Sequence, residues 1–90
     1  MSDDDGNRQP AASAVSALDH IVRSVVEYPD EVEIDVDDSN DRIRLDVHVA
    51  QGDMGRVIGK RGRVAQAIRT VVRAAAVIDD VEVDVEFIDP

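Results

Sequence analysis

Three stretches of strict alternation constrain this 90-residue chain more than any other feature. Val32, Ile34 and Val36 are interleaved with Glu33 and Asp35. Ile43, Leu45, Val47 and Val49 are interleaved with Arg44, Asp46 and His48, and Val81, Val83, Val85 and Phe87 with Glu82, Asp84 and Glu86. A period of two marks strands. Each run is apolar on one side only, so the expected sheet is covered on one face and wet on the other. The acidic, Asn- and Ser-containing stretch from Asp37 to Asp41 is turn chemistry and predicts a hairpin between the first two strands.

The cover must come from the stretches with helical period. Ala14 to Glu27 sets Val15, Leu18, Ile21, Val22, Val25 and Val26 on one face. Ser13 is the expected N-cap, and Pro29 the stop, because proline disfavours helical backbone at the residue before it. Arg63 to Ile78 gathers Val64, Ile68, Val71, Val72, Ala75 and Ile78 on one side. Arg63, Gln66, Arg69, Thr70 and Arg73 fall in an arc of about 120° opposite them. Met54 to Ile58 reads as one short helical turn, with Asp53 as its cap. The order is helix, strand, strand, short helix, glycine turn, long helix, strand. That is an α+β domain with a three-stranded sheet and its helices packed on one face.

The glycine turn, Gly59-Lys60-Arg61-Gly62, stands at the N-terminus of the long helix. Unpaired N–H groups and the positive dipole end favour an anion there. Yet Arg61 and Arg63 stand where the dipole makes cations unfavourable. A local rule broken without local gain marks a functional site, and a phosphate resolves the conflict. Charge along the chain agrees. From Met54 to Ile78 there are six basic residues and no acid, whereas the remainder carries a net −16 within an overall −10. An evenly acidic protein would repel nucleic acid; this one concentrates its positive charge on one turn and one helix. The wet sheet face, with Glu33, Asp35, Asp46, Asp84 and Glu86 around Arg44, is too acidic for that role, and it lacks stacking aromatics.

Length and composition exclude much else. Ninety residues make one domain with a modest core and no deep catalytic cavity. There is no cysteine for a disulfide or thiolate metal site, and no apolar run approaches 18 residues, so a cytoplasmic location is expected. Residues 1–12 read as a disordered acidic tail and 13–90 as the domain. A Walker loop is rejected, because Met54 occupies its first glycine position and Arg61 its Ser/Thr position. His20 and His48 read as exposed histidines without ligand partners, and the Asp clusters as a solvated tail and turn. No nucleophile with a base, and no carboxylate pair in a pocket, suggests catalysis. No metal or cofactor is expected. Arg69 and Arg73 read as part of a solvated helix face.

The run from Asp53 to Ala76, with Ile58-Gly59-Lys60-Arg61-Gly62 at its centre, resembles KH domains of type II. More closely, it resembles the KhpA family of small bacterial proteins with a single KH domain. The likeness covers about residues 14–88. It implies a non-catalytic, single-stranded RNA-binding protein, a post-transcriptional regulator or RNA chaperone, whose GxxG loop clamps the RNA backbone over an aliphatic floor. On this chain Gly59 and Gly62 would admit the sugar-phosphate chain, Lys60 and Arg61 would supply loop charge, and Ile58 would contribute packing or floor. Gly55, Arg56 and Arg63 lie in the matching run and are inferred as further contacts. The resemblance also implies dimers, with itself or with a larger KH protein. The alternative function is therefore a protein-interaction module whose partner supplies most RNA contacts.

Overall fold

The computed structural model describes residues 10–89. Its elements are α1 (Ala12–Val25), β1 (Glu33–Asp37), β2 (Ile43–His48), α2 (Met54–Ile58), α3 (Arg63–Ile78) and β3 (Val83–Phe87). Single 3-10 turns at Pro29–Glu31, Gln51–Asp53 and Lys60–Gly62 join them. The strand order is β1-β2-β3. β1 and β2 form the expected antiparallel hairpin, with Asp35 opposite Asp46. β3 pairs parallel to β2, with Leu45 opposite Val85. A parallel pair needs a long crossover, and α2, the glycine turn and α3 supply it. The fold is the α+β arrangement expected for a KH domain.

The core lies between sheet and helices. Leu45 and Val47 of the central strand and Val83 and Val85 of β3 meet Leu18 and Val22 of α1 and Ile68 and Val72 of α3, all buried. The buried face of α3 is centred on Ala65, Ile68, Val72 and Ala76, not on its largest residues. Alanines let α3 approach both the sheet and α1 closely, which turns Val71 and Ile78 outward, 47% and 78% exposed. On the other sheet face Arg42 forks onto Asp84 at 2.8 and 2.9 Å and reaches Glu82 at 2.5 Å. Arg44 bridges Asp46 and Asp37, and His48 Nε2 lies 3.0 Å from Asp35. Hydrogen bonding from Arg42 holds the Asp84 carboxyl below its ordinary range.

Both ends of α1 differ from expectation. The helix opens at Ala12, after Ala11 in a left-handed conformation (φ 59°) and buried in the core. Residues 1–9 of the expected tail lie outside the described residues. Ser13 is not the cap. Its N–H and that of Ala14 donate to Asp79 Oδ2 at 2.8 and 3.1 Å, so a carboxylate beyond the end of α3 does the capping. At the other end α1 stops at Val25, ahead of the Pro29 boundary, with Val26 already extended. The next N–H groups, of Glu27 and Tyr28, donate to the buried carboxylate of Asp53 at 2.9 and 3.0 Å. Asp53 therefore ties α1 to the start of α2 rather than capping α2 with its side chain.

Candidate nucleic-acid interface

The chain leaves α2 through a closing bond from Gly59 N–H to the Gly55 carbonyl, 2.9 Å. Gly59 then adopts φ 76°, ψ 173°. A side chain here would meet Val64: a Cβ would fall 2.4 Å from Val64 Cγ2 and 2.9 Å from its backbone nitrogen. The turn thus folds tightly onto the head of α3, which only glycine permits. Gly62 closes it, donating to the Gly59 carbonyl at 3.1 Å and standing at the N-cap of α3 with φ 74°. A Cβ on Gly62 would meet nothing within 4 Å, so its backbone is open to an approaching chain.

Between the glycines, Arg61 has φ 58°, ψ 24°. A left-handed arginine costs about 1 kcal/mol. It projects with Lys60 at the exposed tip, and Arg63 is exposed at the first position of α3. No side chain caps α3, and no acid stands in its first turn. The end of the helix that attracts anions is left to cations.

The pairing pattern separates these cations from the rest. Arg23, Arg42, Arg44 and Arg56 each have a carboxylate oxygen within 4.0 Å. Among the described residues Lys60, Arg61, Arg63, Arg69 and Arg73 have none, in a chain with twice as many acids as bases. Arg56, inferred from the matching run as a further RNA contact, belongs to the paired group, reaching Asp53 at 3.3 Å and Glu27 at 3.7 Å. Gly55 lies within α2 with open space over it, and Ile58 is half-buried against the core. The structure thus gathers Gly59 to Arg63 at one point, with Ile58 beneath.

Arg69 was not separable from a solvated face by sequence reasoning. It is half-buried, its Nε donating to the Val85 carbonyl at 3.2 Å and its guanidinium 5.4 Å from the Phe87 ring centre. Only the alternation that turns Phe87 toward the helices hints at this contact. Among the described residues, no three His, Asp or Glu side chains gather as a metal site.

The description "KhpA/KhpB, KH domain" belongs to the family model that matches residues 15–87 of this chain. The chain belongs to the KhpA/KhpB KH-domain family. This is a non-enzymatic family, so the expectation of no enzymatic activity stands. Relatives named RNA-binding protein KhpA agree. The one from Clostridium acetobutylicum is 49% identical over 71 residues, covering 79% of this chain and 95% of that protein. The one from Mycobacterium tuberculosis is 44% identical over 62 residues, 69% of this chain and 78% of its own length. A more distant one, from Borreliella burgdorferi, is 37% identical over 75 residues, 83% and 92% of the two chains. All three alignments span most of this KhpA/KhpB domain, and the family match contains the whole glycine turn.

Proposed function

We propose that this chain binds single-stranded RNA without catalysis, clamping the sugar-phosphate backbone at the Gly59–Gly62 turn. The observation that carries the reading is the set of three cations, Lys60, Arg61 and Arg63, left without carboxylate partners among the described residues at one open helix N-terminus. A phosphate there completes the N–H groups of the first turn, offsets the strained cations and fits the open backbone at Gly62. The relatives' name, RNA-binding protein, supports the same ligand. A role in regulating or refolding transcripts in the cytoplasm follows from weak, sequence-tolerant binding of this kind.

Replacing Lys60 and Arg61 together by Asp tests the clamp. Acids are favoured at a helix N-terminus by a few tenths of a kcal/mol, and Asp tolerates left-handed backbone, so the variant keeps its fold. Fluorescence anisotropy with short single-stranded RNAs at low salt is expected to show about a tenfold or greater loss of affinity. Unchanged binding by the folded variant removes the clamp.

A second reading, pairing with another copy of this KH domain, has its own observation. Ala67, Val71, Ala74 and Ile78 form an exposed apolar stripe along α3, beside an apolar groove of about 340 Å³ lined by Ile21, Val25, Val64 and Val71. Two α3 helices laid antiparallel would set the Arg63 end of one against the Asp79–Asp80 end of the other, cation and positive dipole against acids and negative dipole. Sedimentation is expected to report a dimer that Val71→Asp converts to monomer. A monomeric parent chain ends this reading.

A further inference from the structure

Arg69 lies two turns along α3 from Gly62 and is folded back on the protein. Its Nε takes the Val85 carbonyl, its Nη1 donates to Gln66 Oε1 at 3.3 Å, and its guanidinium lies over the Phe87 ring. The Val85 carbonyl faces the open edge of the sheet. Ile43 N–H donates to the Glu82 carbonyl and Ile88 N–H to the Val47 carbonyl. Even-numbered positions of β3 therefore bond to β2, and the alternation turns the backbone groups of Val83, Val85 and Phe87 outward.

An arginine serving only to hold elements together in this acidic chain has many carboxylates to choose from, as Arg42 and Arg44 show. Arg69 instead holds neutral groups, has no carboxylate oxygen within 4.0 Å among the described residues, and sets its planar guanidinium over an aromatic ring. Guanidinium planes and aromatic rings are the two surfaces on which unpaired bases stack. Seven residues of helix separate it from Gly62, about 10 Å, which is inside the roughly four nucleotides that a KH groove spans.

Resting on the reading of the glycine turn as an RNA clamp, we propose that Arg69 and Phe87 form a stacking platform for a nucleobase of the same strand. The turn fixes the backbone and the platform fixes one base downstream of it along α3. Every base has a π-face, so the platform recognises the presence of a base rather than its identity.

The test uses the full chain and short single-stranded RNAs carrying 2-aminopurine at successive positions. Arg69→Lys keeps the charge and loses the plane; Phe87→Leu keeps an apolar strand end and loses the ring. With the parent chain, one position is expected to change fluorescence sharply on binding. Both variants are expected to lose that change and about tenfold in affinity, while their salt dependence stays that of the parent. An RNA with an abasic sugar at that position needs no protein variant. It is expected to bind the parent about tenfold more weakly and Arg69→Lys no worse than intact RNA does. Parent-like affinity and fluorescence in Arg69→Lys, or indifference to the abasic sugar, overturns the platform and leaves the clamp standing. Failure of the parent chain to bind any RNA, with Lys60→Asp/Arg61→Asp behaving identically, overturns both.

Discussion

At Gly59 and Gly62 the same residue type does two different jobs, and a methyl group tells them apart. Both have positive φ, so alanine at either carries backbone strain. Only at Gly59 does the added Cβ run into something, the side chain and backbone nitrogen of Val64, which the fixed head of α3 cannot move aside. Gly59→Ala is therefore expected to cost about 2–3 kcal/mol and Gly62→Ala about 1 kcal/mol, as read from urea unfolding midpoints. In RNA binding the proposed clamp reverses the ranking: Gly62→Ala is expected to lose affinity while folded, because a strand held at the turn would approach its open backbone. Equal costs at the two positions would mean that the turn relaxes around Val64. These glycines were legible in sequence because they are demanded by local backbone conformation. Arg69 was not, since its partners, a strand-edge carbonyl and a ring on β3, are brought to it only by the crossover.

Secondary-structure elements show the same division between local and long-range causes. The three strands were legible because a sheet covered on one face prints its burial as alternation, and β2 shows it cleanly, with Ile43, Leu45 and Val47 buried. The ends of α1 were not, because Ser13 and Asp53 look like caps from their neighbours alone. Whether a carboxylate turns onto its own helix or another is decided by tertiary packing, and here Asp79 and Asp53 both turn onto α1. The parallel β2–β3 pair has a comparable long-range tie in Arg42, which joins the hairpin to Asp84 and Glu82. Asp84 is depressed chiefly by the Arg42 hydrogen bond. A carboxyl lowered in the folded state contributes stability that is present above its unfolded pKa and lost as pH falls through its folded one. The stability difference between the parent and Arg42→Gln should thus be constant from pH 5 to 8 and shrink below about pH 4. Urea midpoints across that range check it; a gap that persists at pH 2 would show that packing of the arginine stem, not the ion pair, ties the strands.

Across the whole molecule, two opposed fields act on an approaching polyanion. The glycine turn and α3 attract it, while the acids spread over the rest of the chain, those of the far sheet face among them, give a net −10 that repels it. Which prevails depends on distance and salt. In the proposed clamp the cations would touch phosphate directly and be little screened, whereas the acids of β1 and β3 act from across the sheet. At 0.15 M salt the Debye length is about 8 Å and at 0.01 M about 30 Å, so the repulsion fades with added salt sooner than the contacts do. Two to four contacts on a single strand give a log affinity against log salt slope of about −1.5 to −3. Residual repulsion at low salt flattens that slope at its dilute end. Glu33 and Glu86 are exposed on the far face and carry no ion pair among the described residues. Converting both to Gln is expected to strengthen RNA binding several-fold at 0.01 M salt and less than about twofold at 0.15 M. A gain that does not depend on salt, or any loss of binding, would mean that RNA touches the sheet face. That outcome would move the site away from the glycine turn, because one strand gripped at Gly59–Gly62 and running along α3 has the whole sheet between itself and those two glutamates.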